Sequence, residues 1–230
     1  MSLQFLSLFS LDALLESLKE MNLITVGVSI LVCVLIFVVL MLINKKTGGL
    51  KWDTRKLTLG SICIALAYVL SFFKIIDLPQ GGAVTVASMF PMLAYGYMAG
   101  PIWGTLAGLV YSLLQIIQGS YFLTPLQFAF DYILPFTLLG TLSGVFSTKY
   151  KNFNVYAGFA LGVLARYICH FIAGFVFWGD AGSPLWANIT YSLSYNSFVL
   201  IDAIPCFVLI SIPAIKKLFK RATKKQIADN

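Results

Sequence analysis

Apolar residues run along this chain in long unbroken blocks, and charge, Gly and Pro cluster in the gaps between them. Blocks near 23–43, 57–74, 84–100, 102–118, 125–147, 154–178 and 191–214 approach the about 20 residues that, at about 1.5 Å each, cross a hydrocarbon core about 30 Å thick. They predict seven membrane helices. Strands of a membrane barrel would alternate apolar and polar positions over about 10 residues, and continuous blocks exclude that architecture. Residues 3–20 mix Leu and Phe with Asp12, Glu16, Lys19 and Glu20, a pattern that fits either an interfacial helix or a frayed tail. The run 23–43 is too long for the apolar region of a signal peptide, about 7–15 residues, and leads into Lys45-Lys46 with no small-residue cleavage site, so it reads as a retained helix.

The gaps divide the chain. Asn44 to Lys56 is polar and contains Gly48-Gly49, which predicts a linker. The expected fold is all-α integral membrane, with residues 1–50 forming an N-terminal extension with an accessory helix. Residues 51–230 are expected to form a six-helix membrane domain with a basic tail. Asp77 to Gly82 and Gly179 to Pro184 read as loops at one face, the first with the Pro and Gly pair of a flexible lid, while Ala99-Gly100-Pro101 reads as a tight turn at the other.

Composition sharpens this picture. Of 230 residues, 59% are apolar and 11% charged, with a mean hydropathy of +0.88. A soluble domain carries roughly 25% charged residues, so a soluble enzyme is excluded. The net charge of +7 does not point to nucleic acid, because the basic residues flank apolar blocks. Lys45, Lys46, Lys51, Arg55 and Lys56, then Lys149 and Lys151, then Lys216, Lys217, Lys220, Arg221, Lys224 and Lys225 all fall on one side if the N-terminus is outside and the C-terminus is cytoplasmic, the orientation favoured by the positive-inside rule. Cys33, Cys63, Cys169 and Cys206 each lie within an apolar block and read as packing residues, with no metal-ligand spacing.

Ionisable groups inside membrane segments are costly and mark function. Four occur here: Asp131, Arg166, His170 and Asp202. Counting 1.5 Å per residue from the ends of antiparallel helices puts Arg166 and Asp202 at matching mid-membrane depth, which predicts a structural ion pair below any pocket. Asp131, His170 and Asn196 fall together nearer the outer face, among Tyr121, Tyr132, Trp178, Tyr191 and Tyr195. Each aromatic alone would fit an interfacial belt. A submerged carboxylate among them instead predicts a pocket for a flat cation, because ring faces attract cations.

The runs Pro125-Leu-Gln-Phe-Ala-Phe-Asp131-Tyr132, Arg166-Tyr-Ile-Cys-His170-Phe-Ile-Ala-Gly-Phe-Val-Phe-Trp178 and Tyr191-Ser-Leu-Ser-Tyr-Asn196 resemble the thiamine-specific S-components (ThiT family) of energy-coupling factor (ECF) vitamin transporters. The likeness spans about residues 57–220. It implies a six-helix subunit, not an enzyme and without cofactor or metal, that takes thiamine from outside and relies on a coupling membrane protein and two ATPase subunits for energy. By the resemblance, Asp131 meets the aminopyrimidine with Asn196 and Tyr191, Trp178 and His170 pack on the thiazolium, and Tyr121 and Tyr132 complete the wall. The family often has Glu in place of Asp131 and a lid Trp where Gly82 stands. Ser61-xxx-Ala65 has the small-residue spacing of a close helix contact, either with the coupling protein or within the chain. Two other readings stand beside this one: an S-component for another vitamin or a thiamine precursor, and an intramembrane enzyme using Asp131 and His170 as acid and base.

Overall fold

The computed structural model describes residues 52–118, 125–149, 155–180 and 182–228, together with Val38 and Leu42. The expected accessory helix and interfacial segment of the 1–50 extension, and Tyr121, lie outside the described residues. The order of elements is α1 (Thr54–Ser71), β1 (Lys74–Asp77), a 3-10 turn (Pro79–Gly81), β2 (Ala83–Thr85), α2 (Met89–Ala99), α3 (Pro101–Ile117), α4 (Pro125–Phe128), a π turn (Ala129–Ile133), α5 (Leu134–Lys149), α6 (Val155–Phe177), α7 (Leu185–Asn196), α8 (Phe198–Ser211) and α9 (Pro213–Ala228). By length and composition, Leu126–Val145, Val155–Phe177 and Leu185–Ser211 are able to cross a membrane.

Helix α1 starts at Asp53, whose carboxylate accepts from the backbone N–H groups of Arg55 and Lys56 at 2.9 and 3.3 Å, the usual role of an N-cap acid. It buries Gly60, Cys63, Ala67 and Ser71. Ile62, Leu66 and Val69 on its other side are exposed, as a lipid-facing surface requires. Ser61 and Ala65 lie on that exposed side, so they are not used in packing among the described residues.

The block 84–100 departs from expectation. Residues Ala83–Thr85 form a strand paired antiparallel with Lys74–Asp77, and α2 begins only at Met89. Eleven residues of α2 rise about 16 Å, roughly half the hydrocarbon thickness. Hydropathy does not separate an apolar strand from an apolar helix, which is why the sequence reads as one span. The block 57–74 likewise ends as helix at Ser71 and passes into β1.

Helix α5 is central and packs against α2, α3 and α6. The contact is made at backbone distance. A Cβ on Gly140 would overlap the Gly104 carbonyl, and one on Gly96 or Gly104 would overlap the Gly140 carbonyl, so only glycine permits this approach. Between α2 and α3, Gly100 takes φ 96°, a left-handed conformation at little cost to Gly, and Pro101 starts the next helix where its missing N–H is not needed. The last predicted span, 191–214, is two helices. Its first begins at Leu185, and α7 ends at Asn196, where the Ser197 hydroxyl bonds the Ser194 carbonyl at 2.6 Å. After Ile212 the chain turns into α9, anchored by buried Phe219 against Phe90, Tyr97 and Phe159.

Candidate functional site

A cleft opens at the end of the bundle that carries the β-hairpin, and Asp131, Tyr132, His170, Trp178, Tyr191 and Asn196 all line it. Of the expected wall residues, Tyr121 alone falls outside the described chain. The cleft holds about 1040 Å³ of empty space, open solvent at its mouth included.

Asp131 belongs to the π turn Ala129–Ile133. Such a turn carries one extra residue and rotates the helix after it by about 100°, and it is frequent where a side chain must be re-aimed at a functional site. Its Oδ2 accepts from Gln127 Nε2 at 3.2 Å, and its Oδ1 lies 3.5 Å from His170 Nδ1. His170, on α6, accepts at Nε2 from Arg166 Nε at 3.3 Å. Because that nitrogen accepts, the network places the imidazole proton on Nδ1, facing the Asp131 carboxyl.

Helix α7 brings the other wall. Gly174 on α6 lets Ser192 and Asn196 approach closely, and Ser192 Oγ donates to the Phe171 carbonyl at 2.6 Å. Asn196 Nδ2 donates to the Ser192 carbonyl at 2.9 Å, which fixes the amide at the cleft. Tyr191 and Tyr195 stack at 5.9 Å between centroids and reach over to the hairpin. Tyr191 OH donates to Gln80 Oε1 at 2.7 Å, Tyr195 OH donates to the Pro79 carbonyl, and Gly82 N–H donates to Tyr195 OH at 3.3 Å. A Cβ on Gly82 would lie 2.8 Å from Tyr195 OH and 3.2 Å from Phe198 Cε1. Here the hairpin closes on tyrosines with no room for a large residue at position 82.

Arg166 and Asp202 meet at mid-bundle, with Arg166 Nη1 3.6 Å from Asp202 Oδ2, and the Arg166 guanidinium lies 4.9 Å from the Phe136 ring centre. Both line the floor of the cleft, which corrects the reading of a pair set below the pocket. The cleft also reaches Tyr111, Gln115 and Gln118 on and just after α3. Sequence reading missed these because it searched for charge; two amides at the end of an otherwise apolar block were the available signal.

Beside the mouth, the loop after α6 is tied by its own side chains. Asp180 accepts from Gly182 N–H at 3.0 Å and Ser183 Oγ at 2.9 Å, and these two bonds, the backbone one foremost, hold its carboxyl below the usual carboxylate range. Asn188 closes the loop onto α7 by bonding both the N–H and the carbonyl of Asp180, at 3.1 and 2.9 Å.

Comparison with known proteins points to one family. The Thiamine transporter protein (Thia_YuaJ) family model matches residues 57–221. The thiamine transporter ThiT of Bacillus subtilis (strain 168) is 30% identical over 180 residues, 68% of this chain and 91% of that protein. The ThiT of Lacticaseibacillus paracasei is 35% identical over 124 residues, 49% of this chain and 59% of that one. The solved structure of ThiT from Listeria monocytogenes superposes with a TM-score of 0.57 at 27% identity, covering 73% of this chain and 99% of that one. These are transporters, which sets aside the enzyme reading of Asp131 and His170. A family match across most of the chain, carried on a helical membrane bundle with an acid-bearing aromatic cleft, places this multi-pass membrane protein in the thiamine transporter family.

Proposed function

We propose that this protein is the substrate-binding membrane subunit that captures thiamine from outside the cell for ATP-driven uptake by an ECF-type transporter. One observation carries the choice of ligand. Among the described residues lining the cleft, the carboxylates Asp131 and Asp202 face the guanidinium of Arg166, while exposed Lys74 is paired with Asp77, leaving one negative charge inside with His170 neutral. A ligand bearing a single permanent positive charge, as the thiazolium does, balances it, and an anionic vitamin would add to the excess. In this reading Asp131 bonds the aminopyrimidine with Asn196 and Tyr191, while Trp178, His170 and Tyr132 wall the thiazolium. Tyr121 would complete that wall.

The coupling membrane protein and two ATPases of such a system would meet the chain along α1, where Ser61 and Ala65 are exposed at close-contact spacing. An external N-terminus and a cytoplasmic C-terminus follow from the basic residues, including exposed Lys216, Lys217, Lys220 and Arg221 on α9. Every proposed ligand-binding residue lies beyond residue 120 of the sequence. Isothermal titration of the purified protein with thiamine and, separately, with biotin tests the ligand. Tight 1:1 binding of thiamine with no heat from biotin is expected; biotin binding without thiamine binding would overturn the assignment.

A further inference from the structure

A buried acid at mid-membrane needs a reason, and the ion pair alone does not supply it. Arg166 Nη1 and Asp202 Oδ2 face each other at 3.6 Å, and neither atom makes a hydrogen bond. The other carboxylate oxygen is far better engaged. Asp202 Oδ1 accepts from the Thr85 backbone N–H at 2.7 Å and from Thr85 Oγ1 at 2.8 Å. Thr85 closes β2, where the extended backbone is buried. Such backbone is tolerated only where its polar groups find partners. Two residues on, Ala87 takes φ 58°, a left-handed conformation that a non-glycine residue keeps only when its surroundings hold it there. Ser88 adds to the grip, its hydroxyl 2.7 Å from Thr85 Oγ1 and its N–H donating to that atom at 3.2 Å.

We infer that Asp202 is the positioning residue that fixes the base of the hairpin covering the substrate cleft. The hairpin is then held at two points by consecutive helices: its tip by Tyr191 and Tyr195 on α7, its base by Asp202 on α8. Contacts run without a gap from Thr85 through Asp202, Arg166 and His170 to Asp131. The cover over the cleft is therefore tied to the carboxylate beneath it, and weakening the base should speed ligand escape with little effect on the bundle.

This inference rests on thiamine being the ligand, and the test separates the two. Thr85→Val removes the hydroxyl bond with almost no change in shape, and Thr85→Ser keeps it. Stopped-flow fluorescence gives thiamine association and release rates, and hydrogen exchange of the 74–85 amides reports on the hairpin without ligand. Thr85→Val should release thiamine about 10-fold faster, with faster exchange at 74–85, while Thr85→Ser matches the parent in both. If the parent bound no thiamine, the exchange comparison would still test the anchor. Parent-like release and exchange in Thr85→Val would overturn it, as would a lowered melting temperature with both rates unchanged.

Discussion

Two halves of this bundle are joined by different chemistry. Helices α2, α3 and α5 touch backbone to backbone through Gly96, Gly104 and Gly140. The hairpin, α7 and α8 are joined instead by side-chain hydrogen bonds from Tyr191, Tyr195 and Asp202 to residues 79–85. A glycine contact has no rotamer to change and breaks only if helices separate. A tyrosine hydroxyl can release its partner and find water at a cleft mouth. The difference teaches that the bundle wall and the hairpin at the cleft are specified by different residue types, small ones for the first and hydroxyl or carboxylate ones for the second.

The sharpest way to break the comparison is to put a side chain into the fixed half. Gly140→Val places atoms on the Gly104 carbonyl, beyond the about 1–3 kcal/mol of ordinary overpacking. No monodisperse protein should elute in size-exclusion chromatography; a folded variant with parental affinity would show that the contact is not structural. In the hydrogen-bonded half, Tyr195→Phe removes one hydroxyl that serves both Pro79 and Gly82. A neutral hydrogen bond contributes about 0.5–1.5 kcal/mol, so thiamine should leave about 2- to 12-fold faster, measured by stopped flow, from a protein that still melts normally. The smallest effect belongs to Asp180→Ala. The Asp180 carboxyl is depressed by its loop bonds, so whatever it adds to stability is complete above its unfolded value of about 3.9 and fades as pH falls through the lower folded value. Melting curves of parent and variant should differ slightly at neutral pH and converge under acid, with thiamine affinity within about twofold.

Much of the site was legible because depth along a membrane helix is countable. Asp131, His170 and Asn196 come from three helices, and 1.5 Å per residue brought them to one level before any contact was known. The same count placed Arg166 opposite Asp202. What it missed departs from uniform rise. Val84-Thr85-Val86 is as apolar as any helix segment, yet an acid 117 positions along the chain satisfies its backbone, and that partnership leaves no local trace. The π turn around Asp131 and the break at Ser197 change direction without changing hydropathy. Gly82 was aligned with a missing lid ring, whereas the space it faces is filled by Tyr195 and Phe198.

The central claim is that the Asp131 carboxylate, held by Gln127 and His170, is the charge that selects a thiamine-like cation. Isothermal titration of thiamine into Asp131→Asn and Trp178→Ala, both confirmed folded, tests it most directly. Loss of a charge-assisted bond of about 1.5–3 kcal/mol should raise the dissociation constant about 10- to 150-fold in Asp131→Asn. Loss of one ring contact of about 0.5–2 kcal/mol should raise it about 2- to 30-fold in Trp178→Ala. The account predicts the larger loss for the carboxylate. An Asp131→Asn protein that binds thiamine as tightly as the parent would contradict it.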